Sequence, residues 1–257
     1  MNSHKTITNL HDRGRSNKRY WLHNFYLRFR SWLAASDLIY PKLISIIGLV
    51  RPRQRNLLAS LDNDIVIDGF PRSANTYFVS FFELAQGRPL SIGHHLHESW
   101  QFRFAERHNI PCVVLIREPL DAVCSAILRD PRANAETSLK NYIRLYQNIL
   151  SNRQCSVIAP FEVIINDSNQ IIAQVNKVYG TDFQTLPKEK LDLVAKAVKR
   201  KDQNDFGSKN LDPMRIAAPS KEKRSAGLLM REKVKESNGG LLKTAGIIYQ
   251  EVCKCRN

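Results

Sequence analysis

The chain has 257 residues, 43% of them hydrophobic and 25% charged, and carries a net charge of +15 with a pI near 9.8. Its length allows one large domain, or one domain with an appendage, and its composition is ordinary for a soluble globular protein. The excess positive charge favours a polyanionic partner: a nucleic acid, an anionic membrane, or a small ligand with several phosphates.

Several classes of protein are excluded by simple counts. The five cysteines are an odd number without regular spacing, which argues against a disulfide framework, and Cys253 and Cys255 lack the neighbouring ligands of a zinc site. The longest apolar stretch, Leu38 to Val50, is shorter than the roughly 20 residues of a bilayer span. Because the first 19 residues are polar, no secretory signal is predicted, and a reducing cytoplasm is the expected environment.

Most of the charge excess lies near the N-terminus. The first 55 residues hold eleven Lys or Arg against Asp12 and Asp37, which gives +9 of the total. We therefore expect residues 1–55 to form a basic arm and residues 56–257 to form the main domain.

The arm contains an aromatic segment from Tyr20 to Leu33, for which the spacing predicts a helix. One stripe of that helix would carry Trp21, Phe25, Phe29 and Trp32. Such a stripe either packs on the domain or lies on anionic lipid. Nucleic-acid binding is the weakest interpretation, since no RNA- or DNA-binding motif follows, and no nucleic-acid partner is expected.

Beyond the arm, short apolar runs alternate with amphipathic segments. The apolar runs predict strands at 64–68, 90–92, 112–116 and 156–159. The amphipathic segments predict helices at 76–86, 98–108, 120–128, 136–152 and 169–179, followed by a basic helical region with a less regular stretch at 202–220. This alternation predicts an α/β fold with helices on both faces of a central parallel sheet.

The loop after the first strand, Gly69 to Thr76, has the composition of an anion site. Backbone N–H groups at the start of the following helix would attract a phosphate. Gly69 is expected to permit a sharp turn, and the Walker A pattern is absent. The remaining residues would stiffen the loop, let its backbone approach, or supply donors and a cation: Pro71, Arg72, Ser73, Ala74, Asn75 and Thr76.

A second candidate element follows the third predicted strand. Arg117 stands at the tip of that strand, and Ser125 lies eight residues later on the next helix. Because parallel strands end on the same edge of a sheet, both loops should face one crevice. There Arg117 and Ser125 would offer a forked cation and a hydroxyl to a second phosphate.

Together the two elements resemble the donor-binding motifs of the sulfotransferase superfamily, in its bacterial and carbohydrate branch rather than the cytosolic aryl and steroid branch. The loop at 69–76 is similar to the family's 5′-phosphosulfate loop, although Ala74 stands where many relatives have glycine. The family's 3′-phosphate motif is matched by Arg117, Pro119, Asp121 and Ser125. The resemblance spans about Asp64 to Phe183.

The resemblance implies a P-loop-NTPase-like sulfotransferase fold. It also implies 3′-phosphoadenosine-5′-phosphosulfate (PAPS) as the donor, no metal, and a hydroxyl-bearing acceptor. The aromatic, cationic arm favours a membrane-associated glycan or lipid as that acceptor, as a hypothesis. Arg72 would neutralise the bridging oxygen of the donor. The acceptor identity and the oligomeric state are not defined by these motifs.

An acceptor hydroxyl needs a base, and the resemblance assigns this role first to His95, with His97 and Glu98 as alternatives. A metal site at these histidines is disfavoured, because His94 and His95 would point to opposite faces of a strand. Phe161 and Glu162 look like the family's structural pair.

A weaker likeness and two rival functions remain. The segment 218–224 resembles a stretch that closes over the donor in bacterial relatives, with Lys221 and Arg224 as phosphate ligands; a solvated helix start is the alternative. One rival function is a P-loop-like nucleotide kinase or NTPase. Such an enzyme needs an acid that binds Mg²⁺, and Asp68, the only candidate, is in the wrong place. The other is a non-enzymatic protein that binds anionic membranes through residues 1–55, which leaves the two loops unexplained.

Overall fold

Four short strands form the central sheet. The computed structural model describes residues 18–50, 57–130, 132–151, 157–206 and 221–255. In this part of the chain the strands are β1 (Ile65–Gly69), β2 (Ile92–His94), β3 (Cys112–Ile116) and β4 (Val157–Pro160). All pairings are parallel, and the order across the sheet is β2-β1-β3-β4. The predicted α/β class with a central parallel sheet flanked by helices is confirmed.

Helices connect the strands and cover the sheet. Before the sheet come α1 (Lys18–Leu33) and α2 (Ile39–Val50). Within it come α3 (Asn75–Gln86), α4 (Ser99–Arg107), α5 (Pro119–Arg129) and α6 (Ala135–Ser151). After it come α7 (Phe161–Tyr179), a 3₁₀ turn (Lys188–Lys190), α8 (Leu191–Phe206) and α9 (Lys221–Lys254).

The elements differ from the sequence prediction at a few ends. The second strand is 92–94 rather than 90–92, so its last residue is His94, the first of the three clustered histidines. Helix α7 begins directly after Pro160 and is kinked at Asp167, so the helix predicted from residue 169 is its second half. Helix α8 is regular to Phe206, where an irregular stretch from 202 was expected.

The core lies in two layers because side chains alternate along each strand. One layer packs strand residues such as Val66 and Val114 against helices α4, α5, α6 and α9. The other packs Ile67 and Leu115 against α3, α7 and α8. The strands are therefore buried on both faces, as parallel strands usually are.

The described part of the N-terminal arm, residues 18–50, forms helices α1 and α2 and joins the first of these layers. Tyr40 and Ile44 are fully buried in the same apolar cluster as helices α4 to α6. Asp37 between α1 and α2 accepts hydrogen bonds from Arg103 at 3.0 Å and from Arg107. Helix α1 packs on the domain through its other face, and the aromatic stripe is exposed.

No helix in the described ranges is long and apolar enough to cross a membrane. The longest described helix, α9, is amphipathic and kinked at Asn238. The apolar helix α2 has only 12 residues.

Gly69 ends β1 for a reason that the sequence did not suggest. Its φ is not in the left-handed region, so a sharp turn is not what requires glycine here. A Cβ at this position would lie 1.9 Å from the carbonyl oxygen of Leu115 on the neighbouring strand. Glycine is needed because β1 and β3 approach closely where the candidate loops begin.

We predict that Gly69→Ala destabilises the protein by about 3 kcal/mol or more, because a backbone oxygen cannot move away as a side chain can. Gly227→Ala is the matched control: nothing lies within 4 Å of the added methyl on α9, and helix propensity should raise stability by up to about 1 kcal/mol. Urea denaturation measures both. A Gly69→Ala protein as stable as the parent would contradict the close approach.

Candidate active site

The two candidate elements meet at the same edge of the sheet, beyond the ends of β1 and β3. Nε of Arg72, in the first loop, donates a hydrogen bond of 3.0 Å to Oγ of Ser125, on α5. Nη1 of Arg117 donates to the carbonyl oxygen of Arg72 at 3.1 Å. The residues singled out at the two strand ends are thus in direct contact.

Side chains of the first loop serve largely to shape it. Nδ2 of Asn75 donates to the carbonyl of Phe70 at 3.0 Å and closes the loop, and Ser73 is fully buried. Oγ1 of Thr76 contacts Nε2 of His95 at 3.1 Å. Helix α3 has no side-chain cap at its N-terminus, so its first-turn N–H groups remain available for an anion.

Unusual backbone conformations are concentrated here. Positive φ angles occur at Arg72 and Ala74 in the first loop, and at His95 and His97 in the turn after β2. Asn109 is the fifth such non-glycine residue in the described ranges. The backbone of Ala74 is left-handed, a conformation that favours glycine. The alanine methyl group therefore lowers the stability of the fold by about 1 kcal/mol relative to glycine, whereas in a right-handed or extended conformation it would cost little. Such strain is typical of functional sites.

Three arginines carry most of the charge at this edge: Arg72, Arg117 and Arg129. Burial, together with the nearby Arg129 and Arg117 guanidinium groups, lowers the pKa of Arg72 to about 10, although Asp202 opposes this shift. Asp202 is buried and lies 4.0 Å from Arg129. Arg72 therefore stays charged at neutral pH in a site with surplus positive charge, which an anion would neutralise.

Arg117 is held in place from three sides. Its guanidinium lies over the ring of Phe161, 4.1 Å from the ring centroid, and its carbonyl accepts a hydrogen bond of 2.8 Å from the Tyr142 hydroxyl. Burial lowers its pKa, partly offset by Asp121. Nε of Arg117 is buried and has no hydrogen-bond partner within the described ranges. A buried donor of this kind is costly unless a ligand accepts from it.

The other residues of the second motif start and anchor helix α5. Pro119 occupies its first turn, and the carboxylate of Glu118 caps it by accepting from the Asp121 N–H at 2.9 Å. The Asp121 carboxylate pairs with Arg231 on α9. These contacts fix the start of α5, which directly follows Arg117 and carries Ser125.

His94, at the end of β2, and His95 and His97, in the turn that follows, form one cluster. The expectation that His94 and His95 point to opposite faces is wrong, because β2 ends at His94 and the left-handed His95 turns the chain. Their Nδ1 atoms contact each other, and the rings of His95 and His97 are 5.7 Å apart. Among the described residues, no group of three or more His, Cys, Asp or Glu is arranged to hold a metal ion.

His95 and His97 occupy different environments. Burial, with the neighbouring His94 and His97, lowers the pKa of His95 well below its ordinary value, so this imidazole is neutral at pH 7. When its Nδ1 donates to His94, its Nε2 is an acceptor that faces the Thr76 hydroxyl. Nδ1 of His97 instead contacts the Gly69 carbonyl at 2.7 Å and Asp68 at 3.1 Å, which fixes the turn.

Asp68, at the end of β1, connects these parts. Its Oδ1 accepts from the Gly69 N–H at 2.8 Å, and its Oδ2 accepts from the N–H groups of Leu96 and His97 at 2.9 Å and from Nε2 of Gln101 at 2.8 Å. Burial alone would raise the pKa of Asp68, but His97 and these donors hold that pKa well below its ordinary value.

The third candidate base, Glu98, is committed to an ion pair. It is buried, and its Oε1 accepts from Nε of Arg30 at 3.0 Å. Burial alone would lower the pKa of Arg30, but Glu98 raises it. Nη2 of Arg30 also donates to the carbonyl of Leu96 at 2.9 Å, so α1 is fastened to the histidine turn.

The predictions for segment 218–224 fall on positions that the structure does not describe in full, and two residues that shape the candidate site were not predicted from the sequence. Segment 218–220 and the side chains of Lys221 and Arg224 lie outside what the structure describes. Tyr146 was not predicted: its hydroxyl accepts from the Phe70 N–H at 3.0 Å and donates to the Leu115 carbonyl at 2.7 Å. Its spacing of four from Tyr142 on an amphipathic helix was the only available signal. Asp202 gave no signal, because it comes from a distant helix.

No known protein-family model matches this chain, and no curated protein is detectably similar to it in sequence. The resemblance to sulfotransferases therefore depends on the two motifs alone. Arg72 of the first motif contacts both Arg117 and Ser125 of the second.

We predict that Asp68→Asn lowers the free energy of unfolding at pH 7 by about 3 kcal/mol, because an amide cannot accept all the bonds that the carboxylate accepts. Since the folded pKa of Asp68 lies below its unfolded value of about 3.9, its stabilisation is complete above that pH. It is lost as the pH falls further. The gap between parent and variant should therefore narrow below about pH 4.

Urea denaturation at pH 7, 4 and 3 measures this gap. Asp192→Asn is the control, because Asp192 is exposed and pairs only with Lys196 one helical turn away. Its substitution should change stability by less than about 0.5 kcal/mol. A gap for Asp68→Asn that stays constant with pH would mean that its charge does not support the fold.

Proposed function

We propose that this protein is a sulfotransferase that moves the sulfonate group of PAPS to an acceptor hydroxyl. The observation that carries the proposal is the contact between the two strand-end motifs, in which Arg72 binds Ser125 and Arg117 binds the Arg72 carbonyl. A lone phosphate loop would fit many nucleotides. Two adjoining anion sites fit a donor with phosphate at both the 5′ and the 3′ position.

The residues present suit such a donor. Arg72 and the uncapped N-terminus of α3 would hold the phosphosulfate end. The unpartnered Nε of Arg117 and the hydroxyl of Ser125, which can still donate its own proton, would hold the 3′-phosphate. The surplus charge that lowers the pKa of Arg72 would be relieved by these anionic groups.

The chemistry requires charge stabilisation and a base. The bound donor supplies an activated sulfonate, whose bond to the leaving phosphate breaks as the acceptor oxygen bonds to sulfur. Arg72 would stabilise the charge that builds on the bridging oxygen. Nε2 of His95 would take the acceptor proton, since its lowered pKa keeps this imidazole neutral. The contacts of His97 and Glu98 suit positioning rather than proton transfer.

The rival nucleotide kinase or NTPase gains no support. Such an enzyme needs a carboxylate directed at a metal-bound phosphate. Asp68 comes directly before the loop, and both its oxygens already accept hydrogen bonds inside the fold.

Donor binding can be tested without knowing the acceptor. We predict that 3′,5′-diphosphoadenosine raises the melting temperature far more than AMP or ATP does, since a ligand at about 100 times its Kd stabilises by about 2.7 kcal/mol. Arg117→Ala should weaken this binding at least about tenfold, because a charged hydrogen bond to the 3′-phosphate is lost. Isothermal titration measures the affinities.

The control is Arg88→Ala, an exposed arginine that pairs with Asp64 before the start of β1, at the opposite end of the strand. It should leave the affinity unchanged. Equal shifts for AMP and the bisphosphate would contradict the assignment of Arg117 and Ser125 to a 3′-phosphate.

Turnover can be measured with labelled PAPS and a lipid and glycan extract as the source of acceptors. His95→Ala should lower the rate at least about 100-fold without weakening bisphosphate binding. Arg72→Ala should also abolish turnover. In the parent, the acid limb of the pH–rate profile should lie below the ordinary histidine pKa of about 6.5.

His108→Ala is the matched histidine control, because His108 is exposed at the end of α4 and outside the cluster. It should retain full activity. If the His95→Ala protein is fully active, His95 is not the general base and the role passes to His97.

A further inference from the structure

Helix α1 presents an uncovered aromatic surface. Four of its aromatic side chains have exposed fractions of 69% for Trp21, 67% for Phe25, 44% for Phe29 and 62% for Trp32. Phe25 and Phe29 stack at 6.0 Å between ring centroids, and Phe29 and Trp32 at 6.1 Å. We call these four residues the aromatic face. Large aromatic side chains are rarely exposed in such a continuous row unless something covers them.

The apolar exposure continues into α2. Of the 16 large hydrophobic side chains that are exposed in the described ranges, nine lie between residues 21 and 49. On and before α2 these are Leu38, Ile39, Ile46 and Leu49. Exposed apolar side chains are therefore concentrated on the two arm helices rather than scattered over the protein.

The same region is cationic. Within residues 18–50 the only acid is Asp37, which is paired with Arg103 and Arg107. Arg28 and Lys42 are exposed there. The aromatic face borders an open groove of about 800 Å³ that Arg28 and Arg144 also line. Its one acid, Glu136, pairs with Lys140.

The aromatic face is held firmly rather than loosely tethered. Arg30 on the inner side of α1 binds Glu98 and the Leu96 carbonyl. Nδ2 of Asn24 donates to the carbonyls of Tyr20 and Arg132, and its Oδ1 accepts from Asn134. Because the inner side of α1 is fixed in this way, the outer side stays directed away from the domain.

We propose that the aromatic face docks on the surface of a bilayer that contains anionic lipid, with the ring side chains at the headgroup level and the arm's basic residues against the phosphates. Tryptophan, phenylalanine and arginine are favoured together at such interfaces. A second copy of the chain fits less well, because it would bring another arm with a charge of +9 against the first. This docking does not rest on the proposed sulfonate transfer.

The test is flotation with vesicles of phosphatidylcholine containing about 30% phosphatidylserine, compared with phosphatidylcholine alone. Binding should be at least about tenfold tighter to the anionic vesicles, since each basic residue near the surface is attracted to the anionic headgroups. It should weaken as the ionic strength rises from about 0.1 M to about 0.5 M.

Substitution of the aromatic face identifies the docking surface. The variant Trp21→Ser, Phe25→Ser, Trp32→Ser should bind at least about tenfold less, because buried ring area is lost. These side chains are exposed, so the variant should keep its fold, and thermal melting verifies this. The control Ile165→Gln, Leu193→Gln removes two apolar side chains that are exposed elsewhere, on α7 and α8, and should bind normally.

Tryptophan emission gives an independent readout. The chain has three tryptophans, and Trp100 is only 4% exposed. Anionic vesicles should therefore shift the emission of the parent to the blue through Trp21 and Trp32. The variant Trp21→Phe, Trp32→Phe keeps an aromatic face but should show no shift on binding.

Three results would overturn the proposal. Equal affinity for neutral and anionic vesicles would remove the electrostatic part. Unchanged binding of the serine variant would assign the contact to another segment. Sedimentation showing a dimer without vesicles, abolished by the serine substitutions, would assign the aromatic face to a second copy.

Discussion

The candidate site depends on one buried carboxylate. Asp68 stands at the end of β1, where it accepts from the Gly69 N–H on one side and from the histidine turn and α4 on the other. A buried charge is tolerated only when its acceptors are satisfied, and five donors meet that condition here. Because the donors come from β1, from the turn after β2 and from α4, one carboxylate sets the distance between the candidate loop after β1 and the proposed base.

At the same edge of the sheet, the candidate site brings together positive charges that do not stabilise the fold. Arg72, Arg117 and Arg129 converge where burial weakens solvation, and Asp202 offsets only part of their charge. Left-handed backbone at Arg72 and Ala74 adds strain in the same loop. These costs in electrostatics, in backbone conformation and in an unpartnered donor at Arg117 support the proposal of an anionic ligand.

Local patterns predicted the parts of this arrangement, and long-range contacts determined the rest. The strand at 112–116 and the paired loops could be predicted because apolar runs, glycine, proline and arginine have local meaning. The clash that explains Gly69 involves a neighbouring strand, and Tyr146 reaches its partners from 31 residues away or more. The aromatic stripe had the predicted periodicity, but periodicity cannot tell which face of a helix the domain covers.

Arg30 connects the surface proposed to dock on a membrane with the residues proposed for sulfonate transfer. Its guanidinium lies on the inner side of α1 and binds both Glu98 and the Leu96 carbonyl, within the segment that carries His95 and His97. Helix α1 and the histidine turn therefore move as one unit, since separating them would leave a buried carboxylate without its partner. A protein held at a lipid surface by the outer side of α1 would keep the proposed base in a fixed position relative to that surface. Such an arrangement favours an acceptor hydroxyl carried by a membrane-associated glycan or lipid over one that diffuses in solution.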